Sequence, residues 1–207
     1  MTEFSITPVT PDQFDEAFDL VTEVFAQSSS LHAALDVALA PYRQGLRPSF
    51  KAMVSRNLSL AARTTDGRML GCLIATDMYA TLSDAPPSGP YPEIAALTRS
   101  LTQTYHKQHA LGPGEVLLVD MAATHPDARG LGTYQAMREH IQPIARAAGF
   151  RAIVGELSSA ATQHVVLTKM GHRKVAETHF QGFEWNGTRP FQSITSPPSI
   201  ILAEGRL

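Results

Sequence analysis

A chain of 207 residues with 17 Lys+Arg against 19 Asp+Glu carries a formal charge of −2 at pH 7 and has a pI near 6.4. That balance argues against a charge-driven partner such as nucleic acid, and 43% hydrophobic with 17% charged residues excludes wholesale disorder. The length suits one large domain, residues 1–207, able to bury about 70% of its unfolded surface without staples.

The single cysteine, Cys72, excludes an internal disulfide and a cysteine-built metal site, and fits a reducing compartment. The first residues lack the basic start and apolar core of a secretory leader, and no apolar run approaches the ~18 residues of a membrane span. The expected setting is the cytoplasm, with no membrane. The eight histidines show no metal spacing, so no metal is expected.

In chain order, Phe4 to Pro8 reads as a short strand. Thr10, Pro11 and Gln13 form a helix-start signal with a capping box, and Phe14, Ala17, Phe18, Val21 and Phe25 follow at helical spacing. A second helix is expected over residues 31–40, a loop over 43–48, and a further helix over 49–57. Two apolar runs, 58–63 and 69–75, flank Thr65-Asp66-Gly67, a hairpin signal. Residues 83–92 hold four prolines and one glycine and read as a loop. A helix over 93–109 precedes Gly112-Pro113-Gly114. A buried strand over 115–124 carries one charge, Asp120. A helix over 133–148 ends at Gly149, with Pro143 expected to kink it. A strand over 151–157, a short helix over 160–170, a long strand over 174–185 and a last strand over 199–204 complete the order βα(α)ββαβαβαββ. Strands alternating with helices in the middle imply a parallel pair in a mixed sheet.

Between strand and helix lies His125-Pro126-Asp127-Ala128-Arg129-Gly130-Leu131-Gly132-Thr133. Glycines let backbone N–H groups converge, a helix N-terminus adds unpaired donors and partial positive charge, and Arg129 can add a charge-assisted contact. The combination suits a phosphate or diphosphate. It also reads as a plain tight strand–helix turn.

This segment resembles the signature of the GNAT superfamily of acyl-CoA-dependent N-acetyltransferases, Gln/Arg-x-x-Gly-x-Gly/Ala after a strand. Arg129 and Gly132 match its first two fixed positions, and Tyr134 departs from the last. Lys169-Met170-Gly171-His172 is similar to the family's Lys-Leu-Gly-Phe, and the strand order is the family's. The tail Phe183-Glu184-Trp185-Asn186-Gly187 resembles the end of insect-type arylalkylamine N-acetyltransferases. The resemblance implies an α/β (α+β) GNAT fold: a mixed, mostly antiparallel sheet with a central splayed parallel strand pair and helices on both faces. It implies acetyl-CoA as cosubstrate. Its pantetheine arm would lie along Ala122, Ala123 and Thr124, with Ala122 and Thr124 bonding it, and its diphosphate would lie on Arg129, Gly130, Leu131, Gly132 and Thr133. The acceptor would be a small-molecule amine that attacks the thioester directly.

The attacking amine must lose a proton. Asp120 is the first candidate base: four residues before Thr124, it is expected on the same strand face, inside an apolar strand where a carboxylate is costly unless paired or functional. A buried aspartate bonded to backbone is the competing reading. Glu156, isolated on the neighbouring strand, is a candidate for the substrate ammonium or a structural acid. His179 is a candidate for the acceptor cavity. His32 and Asp36, one helical turn apart, form either a base–orienter pair or a solvated face. The resemblance also exposes vacancies: Ser28-Ser29-Ser30 where an acid is found in arylalkylamine-type members, and Leu167 where many GNAT enzymes carry a general-acid tyrosine. They keep open a GNAT-fold acyl-CoA sensor, or a catalytically impaired homologue, as the alternative. A protein acetyltransferase is a third reading, and a homodimer through the last hairpin is compatible with the pattern.

Overall fold

The computed structural model describes residues 3–207. Strands β1 Phe4–Pro8, β2 Leu60–Thr64, β3 Met69–Asp77, β4 Val116–Thr124, β5 Ala152–Leu157, β6 Arg173–His179 and β7 Ser199–Arg206 form one sheet in the order β1-β2-β3-β4-β5-β7-β6. Only β4 and β5 pair in parallel; the other neighbours are antiparallel. β4 lies mid-sheet with helices over both faces, which is why its sequence runs apolar instead of alternating. The Thr65-Asp66-Gly67 hairpin forms as expected, with Gly67 at φ 91° where a side chain would be strained.

Helices α1 Phe14–Ser28, α2 Ser30–Ala34, α3 Leu39–Val54 and α4 Pro92–His109 cover one face. There Phe18 and Val21 pack with Phe50, Cys72, Ile74, Met121 and Ala123, while Leu97, Leu101 and Tyr105 pack on Leu118, Val154 and Leu202. The other face carries α5 Thr133–Ala147 and the short α6 Ala160–Gln163, which continues as a π-helical segment, His164–Lys169. Met137, Ile141 and Ala145 of α5 bury Leu73, Leu117 and Ile153. Helix α5 runs through Pro143 without a break. Among the described residues, no helix is long and apolar enough to cross a membrane.

Two local expectations fail. Residues 43–48 are not a loop: they belong to α3, which continues through Gly45 and Pro48. Tertiary contacts outweigh the two breakers. Arg43 and Arg47 lie over the rings of Phe18 and Phe14 at 5.0 and 4.9 Å and reach Asp19 and Asp15 of α1, while Phe50 meets Phe18 edge-on at 5.2 Å. The expected long strand over 174–185 is shorter as well. β6 ends at His179, and Phe180 turns inward to pack with Phe191 and Phe183 against α4; burying three rings decides where the strand stops.

Candidate active site

β4 and β5 pair only from Val116↔Ala152 to Val119↔Gly155. Beyond that point they diverge, although β4 runs on to Thr124 and β5 to Leu157. Facing edges in the gap therefore hold backbone groups with no strand partner. His125 N–H bonds Leu70 O at 2.8 Å, so by the two-residue alternation of an antiparallel ladder Ala123 also addresses β3. Ala122 and Thr124 are left addressing the gap. Ala123 does not address it: its side chain is buried with α1 and α3, and its backbone is turned away.

A β-bulge stands where the strands part. Ile74 pairs with Met121 and Ala75 with Val119, so Asp120 is the extra residue. One added residue inverts the facing of everything after it. Leu117 and Val119 face α5, whereas Met121 and Ala123 face α1 and α3. The expectation that Asp120 and Thr124 share a face is therefore wrong; the bulge puts Asp120 toward the α1–α4 layer and Thr124 toward α5.

After Thr124 the chain makes a short 3₁₀ turn, Pro126–Ala128, then enters α5. Gly130 and Gly132 stand at φ 81° and 79°, in the left-handed region. Among the described residues, the N–H groups of Gly130, Gly132, Thr133 and Tyr134 find no acceptor in the protein. These unpaired donors sit at the positive end of a 15-residue helix. Leu131 is exposed beside them, and the exposed Arg129 donates to Ser28 Oγ at 2.8 Å.

A cavity of about 460 Å³ opens beside the gap. Its walls come from both faces of the sheet: Phe25, His32, Tyr42, Leu46, Tyr91 and Ile94 on the α1–α4 side, and Tyr134, Ser159 and Thr162 on the α5–α6 side. Asp120 and Glu156 lie at its floor, one on each diverging strand, at neighbouring register positions just past Val119↔Gly155. No Lys or Arg lines it. Burial pushes the Asp120 carboxyl up to about 6. Glu156 is raised well above the usual carboxylate range, by burial and then by the Asp120 charge. No hydrogen bond or cation offsets either shift. The Tyr42 hydroxyl, which lines the cavity with Asp120, is also raised, by burial first and then by the Asp120 charge.

His179 is not part of this cavity. It sits two-thirds exposed at the end of the edge strand β6, with Nε2 3.9 Å from Glu177 Oε1. His32 is no solvated face: it is 4% exposed, edge-on to Tyr42 at 4.6 Å, and burial holds it down to about 4. Asp36 is exposed at φ 49° and does not orient it. Tyr42 went unseen because residues 43–48 read as a loop. Arg138, fully buried on α5, also went unseen; its guanidinium fills the space that a side chain at Gly155 would need.

No protein-family model matches the sequence, and no curated protein matches it. Solved structures do. The C-terminal condensation domain of Ebony in complex with beta-alanyl-dopamine superposes with TM-score 0.88 at 17% identity, over 100% of both chains. A mosquito arylalkylamine N-acetyltransferase like 5b gives 0.84 at 15% identity, over 99% of this chain and 100% of that one. The Drosophila melanogaster polyamine N-acetyltransferase gives 0.80 at 14% identity with the same coverage. The chain has the GNAT fold. Within that fold, the splayed β4–β5 pair, the glycine turn and the cavity occupy one continuous region.

Proposed function

We propose that the protein is an acyl-CoA-dependent N-acyltransferase, with acetyl-CoA as donor and a small primary amine as acceptor. The observation that carries the reading is the conjunction at the parted strands: unpaired strand backbone, a donor-rich helix start, and a cavity floored by two acids. The gap fits a pantetheine arm, with the backbone of Ala122 and Thr124 available to bond its amides. The N–H groups of Gly130, Gly132 and Thr133, with Leu131 in the turn and Arg129 at its edge, fit a diphosphate. When bound, the cosubstrate supplies an activated acyl carbon. Asp120 takes the ammonium proton and so readies the nitrogen for attack. The acidic floor, in a cavity lined by no Lys or Arg, favours an ammonium and disfavours an acceptor that carries a carboxylate.

The neighbours support this coarse chemistry. Beta-alanyl-dopamine in the Ebony structure is an amide of an amine, and the other two proteins are named for acylating amines. A second reading, a GNAT-fold protein that holds acyl-CoA without transfer, draws on the Tyr134 ring in the gap wall and on the apolar Leu167.

The deciding assay follows free CoA release from acetyl-CoA with a panel of amines and their parent amino acids. Turnover with amines is expected, and Asp120→Asn should lower kcat by about 10²–10⁴-fold while CoA affinity persists. Normal turnover in that variant removes Asp120 as base; CoA binding without turnover under any acceptor selects the second reading.

A further inference from the structure

The geometry points to Glu156 as the proton donor to the leaving sulfur, working opposite Asp120 across the parted strands. This rests on the acyltransferase reading and goes beyond it: there Glu156 only contributes to the acidity of the floor.

Four observations carry it. The two carboxyls sit on the two arms of the gap, at neighbouring register positions, and line the same cavity floor. On the proposed function, an acyl carbon held in that gap would lie beside both of them. Neither carboxyl makes a hydrogen bond or an ion pair that would hold its charge, so the pair cannot ionise fully without strong repulsion. The charged and titratable groups facing them are Tyr42 of α3, His32 of α2, Tyr91 just ahead of α4, Arg99 of α4 and Tyr134 of α5. The Arg99 guanidinium keeps its charge but donates to Ala85 O and not to either carboxyl, and burial keeps His32 neutral. Once Asp120 is ionised, its charge opposes ionisation of Glu156, so in the proposed pairing Glu156 is the carboxyl that holds the proton. Finally, in the π-helical segment that follows α6, Leu167 is apolar and packs with the Val166 cluster, so that position offers no donor.

Two carboxyls driven apart in acidity at one site divide the work of base and acid. In the proposed step Asp120 accepts one proton from the ammonium. The carbon–nitrogen bond then forms and the carbon–sulfur bond breaks. Glu156 gives its proton to the sulfur, which leaves as the thiol, and takes the surplus proton from the new amide nitrogen. Glu156 ends as it began, and Asp120 releases its proton to solvent.

The test compares Glu156→Gln with the parent protein on two donors, acetyl-CoA and thiophenyl acetate, whose aryl thiolate leaves without protonation. With acetyl-CoA the variant should turn over about 10²-fold or more slower. With thiophenyl acetate it should stay within a few-fold of the parent. CoA affinity by calorimetry should be unchanged, confirming a folded variant. Difference infrared spectroscopy of the acceptor-free protein at neutral pH should show a protonated-carboxyl band that the variant lacks. Equal losses with both donors overturn the proposal and make Glu156 an acceptor-binding group. Absence of the infrared band overturns it too. A parent protein that never releases CoA refutes the acyltransferase reading itself, whereas an active parent with an unaffected variant refutes only the role of Glu156.

Discussion

At Asp120 an unfavourable ionisation is built into the fold, and its sign can be followed. Unfolded, the carboxyl has its ordinary value of 3.8; folded, it stands near 6. Between those values the folded chain binds more protons than the unfolded one, so stability falls as pH rises through that window. Asp120→Asn removes the penalty. The variant should match the parent near pH 4 and melt higher at pH 7.5, by about 2–4 °C for each kcal/mol relieved in a chain of this size. Calorimetry at the two pH values checks this; a lower melting temperature at pH 7.5 would show that the carboxylate is held by bonds. For activity the same group sets the other direction: kcat/KM should rise with pH through an acidic limb centred near 6. Arg129 is a simpler case. It is exposed and bonded only to Ser28, so Arg129→Ala should leave the melting temperature alone. It should weaken CoA binding by about 1.5–3 kcal/mol, the usual worth of a charge-assisted hydrogen bond. An unchanged affinity in a calorimetric titration would remove it from the diphosphate site.

Among the elements, α3 and the proline-rich loop 83–91 form the roof of the cavity, and they meet where Pro90 rests on Gly45. A Cβ at Gly45 would stand 2.6 Å from Pro90 Cδ, and the Tyr91 hydroxyl bonds Ala38 N–H at 2.7 Å just ahead of α3. Gly45→Ala gains about 1 kcal/mol of helix propensity yet must push the loop outward. The expected result is a raised KM for the acceptor with CoA affinity and melting temperature preserved; an unchanged KM would show that the loop does not bound the acceptor space. This element also shows where sequence reading stops. Gly45 and Pro48 are genuine breaking signals, and only long-range contacts to Phe14, Phe18, Asp15 and Asp19 overrule them. The bulge at Asp120 carries no local mark either, because Val-Asp-Met-Ala has neither glycine nor proline; it exists only in the pairing with β3. The turn after β4 was legible because its requirements are local: left-handed glycines, a strand before and a helix after. His179, His32 and Tyr42 depended on where distant elements begin and end.

Across the whole molecule, the order of strands and helices followed from periodicity and turn chemistry, and the parallel pair followed from one long helical crossover. The cavity could not be read that way, since it draws on six helices and both central strands. Its shape has a kinetic consequence. Because residues of both the α1–α4 layer and the α5–α6 layer line one cavity, the proposed function has room for both reactants to be present together. No acyl-carrying nucleophile is required: Cys72 is buried, and burial pushes its thiol up to about 12. Initial-rate plots against one reactant at several fixed levels of the other should therefore intersect. Parallel lines would mean that the first product departs before the second reactant arrives, and would overturn the expectation that both occupy the cavity together.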